Sequence, residues 1–506
     1  MLIVATAGGG IRAAYWTATV LEKLDKELPK VPHTNESVMR NLLFAISGVS
    51  GGSVGAAAYA AAVHEHQFFG TAIEPTAYLK GDFLAPGLAS LIFIDGPSNM
   101  LPDFGQIDRG KALELGFELA SQTEHDKEGL AAHKFLSFFP AIGAGKAPSS
   151  WRPALLLNAT HQETGRRLIT SHIKIERDIF IDSYDALQVL NSDVRLSTAA
   201  HNSARFTYVS PAGSLINAES ATESQHNRGY IIDGGYFENY GAETALELAR
   251  KAIEAIDPEH GKPDHKNKVK LVVLQISSDP TLKEDRTLVR ARVRPDGCFV
   301  SSLEPSKPDS APATLGLFGR LTQIFTGMFT KDSTSTDATA AKPTDPANYL
   351  TLIDPEGGHA NEGEGFVFSY ANELSAPLVG IMSVREAHGT IAAAELAASI
   401  CQGKNKVEQA MQSALDRKTT TEPTGKAGPA ASIGNEAPHF SHMAMCEKSL
   451  NPPLGWVLSD RTRSKFEGIL RDCGNEDELS RLEKALGLQD LTASGATTRH
   501  AESTEH

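Results

Sequence analysis

Cysteine is scarce. The 506-residue chain has four, Cys298, Cys401, Cys446 and Cys473, widely and irregularly spaced and with no C-x-x-C pair. That supports neither a zinc site nor a disulfide framework, and it fits a reducing compartment. Basic charge is in deficit: 48 Lys and Arg stand against 62 Asp and Glu, a formal net charge of −14. A nucleic-acid binder usually carries a basic face, so no nucleic acid is expected as partner. Broad attraction to anionic membranes is disfavoured for the same reason. A local apolar or basic patch can still meet a lipid surface. Long hydrophobic runs are missing too. No stretch reaches the roughly 18 consecutive apolar residues that would span a bilayer. Met1–Ala7 is too short for a signal peptide and has no basic flank. The expected location is cytoplasmic, with peripheral membrane contact left open. H-E-x-x-H is absent, and His64-Glu65-His66 and His439…His442 show no third ligand. Neither a metal nor a cofactor is expected.

What is present is an alternation of short apolar runs and amphipathic segments. Leu2–Thr6 reads as a buried strand. A helix follows from about Ile11 to Leu28, with Ala14, Ala18, Leu21, Leu24 and Leu28 near a 3.6 period, ended by Pro29 and Pro32. Asn41–Ile46 predicts a second strand. Val54–Val63 predicts an alanine-rich helix able to pack close to the sheet. Ala154–Thr160 predicts a third strand with Arg167–Ser171 as its hairpin partner. Tyr230–Asp233, a helix over Ala242–Ile256 and a strand over Lys270–Ile276 complete the pattern. Together they predict a three-layer α/β/α domain with a mainly parallel central sheet. One domain over 1–490 is expected, with flexible insertions near 331–347 and 417–438 and a disordered tail over 491–506. An amphipathic run over 315–329 reads as a core helix in preference to a lid or lipid-surface helix.

Three motifs carry chemistry. Gly48-Val49-Ser50-Gly51-Gly52 is a G-x-S-x-G pentapeptide between an apolar strand and a small-residue helix. A nucleophile elbow needs that context, because its strained central residue tolerates only small neighbours. A serine needs a base. Asp233 closes a strand and precedes Gly234-Gly235. If the sheet is parallel there, Asp233 reaches the same sheet edge as Ser50. Gly8-Gly9-Gly10-Ile11-Arg12 follows the first strand and opens a helix. Bare backbone N–H groups there suit an anion such as a tetrahedral oxyanion. Gly8, Gly10 and Ala13 also fit a relaxed dinucleotide loop, but no G-K-[ST] follows.

In this order the motifs resemble those of the patatin-like phospholipase family, namely G-G-G-x-[RK], G-x-S-x-G and D-G-[GA]. The resemblance covers residues 1 to about 280. Leu196–Phe206 is similar to the family's small-residue helix before the aspartate motif, although Thr207-Tyr208 and Pro211 stand where prolines often follow. Pro453-Leu454-Gly455-Trp456 resembles a C-terminal segment of some large bacterial members. The resemblance implies a patatin-like fold and a Ser50–Asp233 dyad without histidine. It implies an oxyanion hole from Gly8, Gly9, Gly10 and Arg12, and an elbow shaped by Gly48, Gly51 and Gly52. The expected substrates are carboxylic esters of phospholipids or lysophospholipids. Two other readings stay open: a nucleotide-binding α/β domain using the glycine loop, and an α/β-hydrolase-type esterase whose base is His388, His439 or His442.

Overall fold

Alternate residues of the first strand, β1 (Leu2–Thr6), face opposite ways, and that sets the layers. In the computed structural model, residues 1–31, 37–95, 108–139, 152–206, 209–217, 227–259, 269–277, 439–445, 457–471 and 475–488 are described. They all belong to one compact unit. Leu2 and Val4 pack with α1 (Gly10–Glu27) and with the small-residue helix Gly51–Phe69. Ile3 and Ala5 pack on the other face with Ala245, Leu246 and Ala249 of the helix Ala242–Ile256. A strand covered on both faces reads as a continuous apolar run, which is why the sequence located it.

The chain then forms α2 (Val38–Leu42), β2 (Leu43–Val49) and α3 (Gly51–Phe69). The second strand starts later than expected. Asn41 and Leu42 finish α2, which Ser37 caps by accepting the Met39 N–H at 3.2 Å. After α4 (Leu84–Ser90) and α5 (Arg109–Ala120) come β3 (Ala154–His161), β4 (Arg167–Thr170) and β5 (Ser183–Asp185). They are followed by α6 (Ala186–Leu190), α7 (Leu196–Ser203), β6 (Gly213–Ile216), β7 (Asn227–Asp233) and α8 (Ala242–Ile256). The last described elements are β8 (Val272–Ser277), β9 (His439–Ala444), α9 (Asp460–Arg471) and α10 (Asn475–Ala485). The sheet runs β5-β4-β3-β2-β1-β8-β9, with the β6–β7 pair joined to β3. It is mixed but mainly parallel, and helices cover it on both sides. The three-layer α/β/α expectation holds. The four cysteines, His388 and the segments at 315–329, 331–347, 417–438, 453–456 and 491–506 lie outside the described residues.

The direction of β7 differs from expectation. It runs antiparallel to β3, with Asp233 opposite Ala159. On the same side of β3, parallel β2 ends with Val49 opposite Asn158. Two strands therefore approach from opposite directions and end one β3 residue apart. Asp233 and Ser50 come together because β3 is a shared template. They do not meet as neighbours along a common parallel edge.

Helix α3 packs against a helix as closely as against the sheet. A Cβ on Gly51 would stand 1.9 Å from the Gly10 carbonyl oxygen, and one on Gly55 2.4 Å from that of Ala14. Gly51 and Gly55 are one turn apart on one face of α3. A Cβ on Gly52 would meet Thr6 Oγ1 at 1.9 Å, at the end of β1.

One segment, Pro75–Asp95, is long and apolar enough to cross a membrane by length and composition, with a mean hydropathy of 1.3. It contains Lys80, Asp82 and Asp95, and its helical path is interrupted at Lys80–Phe83. Leu88, Ile92 and Phe93 are 46%, 62% and 70% exposed.

Candidate active site

Ser50 sits at the junction of β2 and α3 with φ 51° and ψ −124°. Residues other than glycine rarely take such a positive φ, and it persists only where the surroundings impose it. The surroundings do so here. Gly51 and Gly52 let the first turn of α3 press on Gly10 and Thr6, and a Cβ on Gly48 would stand 2.8 Å from Ser53 Cα. The Ser50 hydroxyl donates to Asp233 Oδ2 at 2.7 Å. Asp233 Oδ1 accepts the Gly235 N–H at 2.7 Å. Both carboxylate oxygens are thus engaged. Asp233 is 1% exposed and Ser50 is 8% exposed, so the acceptor lies deeper than the hydroxyl.

The glycine loop lies beside the serine. Gly9 has φ 142° and Gly10 φ 61°, and α1 begins at Gly10. The Gly8 N–H donates to the Asn239 carbonyl at 2.8 Å. Of the three glycine N–H groups expected to face an oxyanion, that leaves those of Gly9 and Gly10, at a helix start where N–H groups have no partner within the helix. Arg12 is buried in the first turn of α1.

Sequence reasoning gave α7 no chemical role, yet it holds both members of the pair. Ser203 Oγ accepts the Ser50 N–H at 3.0 Å and the Ser53 hydroxyl at 2.8 Å, and it donates to the Asn158 carbonyl. Just beyond the helix, the Arg205 carbonyl accepts the Asp233 N–H at 3.0 Å. Asn158 is a second missed residue. Its Nδ2 reaches Ser47 Oγ at 3.0 Å and the Gly48 carbonyl at 2.8 Å, and its Oδ1 accepts from Thr244 at 2.7 Å. The signal for it was present: one asparagine inside an otherwise apolar strand must be satisfied when buried. Ser203→Ala is expected to strip the acceptor from the buried Ser50 N–H and the Ser53 hydroxyl. The expected cost is about 2–3 kcal/mol of stability. Turnover is expected to fall roughly tenfold or more with little change in KM. Thermal melts and steady-state kinetics check both.

The side chains of His388 and His439 lie outside the described residues, and the described histidines of the two runs are engaged elsewhere. His64 Nδ1 accepts from Arg152 at 2.6 Å, Glu65 accepts from Tyr78 at 2.6 Å, and His66 Nδ1 meets the Thr71 carbonyl at 2.5 Å. The His64-Glu65-His66 run therefore points to three different partners. Burial and the Arg152 charge hold His64 down at about 4. His442 Nε2 bonds Ser277 Oγ at 3.0 Å. A separate row joins Ser210 Oγ to His201 Nε2 at 2.7 Å and His201 Nδ1 to Glu114 at 3.0 Å. His201 is fully buried, and burial together with Arg205 holds it down at about 4. It is therefore neutral at neutral pH, and Arg205 and Lys111 are the cations that pair with Glu114, at 3.0 and 3.3 Å. Ser210 is 2% exposed, so this row braces α5 against α7 and does not face an opening. A cavity of about 520 Å³ lies between Lys174–Arg177, Tyr184 and Arg228 and includes neither Ser50 nor Asp233.

No family model matches the chain, and no curated protein matches it.

Proposed function

We propose that the chain is a serine acyl hydrolase of the patatin-like type, cleaving carboxylic esters of lipids through Ser50 and Asp233. One observation carries this reading: a serine in a strained strand-to-helix turn donates at 2.7 Å to a buried aspartate 183 residues away. A serine in an ordinary turn needs neither the strain nor the acceptor. The glycine loop at the start of α1 supplies the third requirement, backbone donors beside the serine.

The chemistry follows from these positions. Ser50 Oγ attacks the ester carbonyl while its proton passes to Asp233 Oδ2. The Gly9 and Gly10 N–H groups hold the oxygen that becomes negative. The C–O bond to the alcohol breaks, and the alcohol leaves with the proton from Asp233. Water then attacks the acyl-enzyme, gives a proton to the same aspartate and releases the acid, and Ser50 recovers its proton. An ester lipid is the substrate class best suited to the surface. Phe68, Phe69, Leu88, Ile92 and Phe93 are exposed large apolar side chains that can meet a lipid aggregate. Peripheral contact of an otherwise cytoplasmic protein is the corresponding location.

A fluorophosphonate probe tests the reading. It forms a stable bond only with an activated serine. Labelling is expected on the wild type and is expected to vanish in Ser50→Ala. Equal labelling of the two proteins would remove Ser50 as nucleophile.

A further inference from the structure

The turn after Asp233 is tied down at successive residues. The Asn239 carbonyl accepts from Gly8 N–H at 2.8 Å, the Tyr240 carbonyl from Gln275 Nε2 at 3.1 Å, and the Gly241 carbonyl from Ser47 Oγ at 2.7 Å. The Tyr240 N–H donates to Glu238 at 2.6 Å. The turn is thereby fixed to residues at the ends of β1, β2 and β8. The Asn239 side chain takes part in none of these bonds.

That side chain lies at the site. Its Oδ1 is buried and has no hydrogen-bond partner among the described residues. It is 2.3 Å from the point where a Cβ on Gly8 would stand, and the same point is 3.1 Å from Ser50 Cβ. The carboxamide therefore rests against the bare face of the glycine loop, next to the serine. The residue as a whole is only partly buried. Buried polar atoms are nearly always bonded, and an exception calls for a physical reason. A half turn of the amide exchanges its oxygen and its NH₂, and no hydrogen bond fixes which of them faces Gly8. With the NH₂ toward the loop, Asn239 adds a donor to those of Gly9 and Gly10.

We propose that Asn239 is a catalytic residue, the side-chain donor of the oxyanion site. The proposal rests on the acyl-hydrolase reading. Its backbone holds the loop and its side chain completes it. The requirement is differential: the bond to the ester oxygen strengthens as that oxygen gains charge, so the effect falls on kcat more than on KM.

Asn239→Ala and Asn239→Asp test this. Alanine removes the donor. Aspartate keeps the shape but places an acceptor-only carboxylate beside the developing charge, and it carries the test if the alanine variant folds poorly. In Asn239→Ala, kcat is expected to fall roughly 10²–10³-fold with KM within about threefold, and Asn239→Asp is expected to fall at least as far. A trifluoromethyl ketone analogue, whose adduct with Ser50 carries the oxyanion, should lose affinity by a similar factor. The matching ether, which forms no oxyanion, should bind as before. Variants with kcat within about threefold of wild type would overturn the inference alone. Equal losses for ketone and ether would also overturn it and leave only a packing role. A wild type that neither hydrolyses esters nor reacts with fluorophosphonate would overturn the acyl-hydrolase reading and this inference with it.

Discussion

Asp233→Asn is expected to lower kcat for ester hydrolysis by roughly 10³–10⁴-fold while leaving KM and the fold nearly unchanged. The substitution is close to isosteric. A carboxamide oxygen can still accept the Gly235 N–H that now reaches Oδ1 at 2.7 Å. The other position becomes an NH₂ facing Ser50 Oγ, which now donates at 2.7 Å. Ser50 Oγ then accepts from that NH₂, and the serine proton loses its acceptor. The Asp233 N–H keeps its bond to the Arg205 carbonyl, so the strand end stays in place. Stability should not fall, because the variant removes a carboxylate that is only 1% exposed. Fluorophosphonate labelling should slow in parallel with turnover. Near-normal turnover would show that another base serves Ser50 and would reopen the histidine reading.

Gly51→Ala should damage both stability and activity. The added Cβ would stand 1.9 Å from the Gly10 carbonyl oxygen and 3.0 Å from Ala13 Cβ. The near atom belongs to backbone at the head of α1, so a rotamer change cannot relieve the clash. The helices must separate, at a cost of about 2–4 kcal/mol. Separation also moves Gly10 away from Ser50. A misplacement of about 1 Å is enough for roughly a hundredfold loss of activity. Gly87→Ala is the matched control. A Cβ there meets nothing within 4 Å, in a helix, and the change should be neutral or stabilising by up to about 1 kcal/mol. A thermal melt and an ester assay on each variant compare the two sites. A Gly51→Ala protein as stable and active as Gly87→Ala would show that the close approach of α1 and α3 is not required.

Much of the architecture was legible because the sheet is buried on both faces. Leu2–Thr6 and the helix Ala242–Ile256 stand where the apolar patterns put them. Direction was not legible. Tyr230–Asp233 reads as an apolar strand whichever way it runs, and only its pairing with β3 shows that it is antiparallel. The edge strand His439–Ala444 was missed because His442 and Ser441 break the apolar run. Both are buried, and the strand's own N–H groups are covered by Glu478 and Asn475 from a following helix. Those partners lie more than 30 residues away, beyond any local pattern. The site divided in the same way. Ser50, Asp233 and the glycine loop each have a local signature. Ser203 and Asn239 do not, because their places depend on pairings between distant segments.

The meeting of two strand ends on β3 also has a consequence in time. Ser50 and its acceptor are separated by 183 residues. A ribosome emits the whole strand–turn–helix unit around Ser50 long before it emits residue 233. Closing a loop of that length is a late, non-local event in folding. The hydroxyl therefore has no proton acceptor until Asn227–Asp233 zips onto the free stretch of β3 beyond Asn158. On the acyl-hydrolase reading, reactivity would switch on with the arrival of one short antiparallel strand, and a growing chain with the Ser50 turn already formed would stay inert until then.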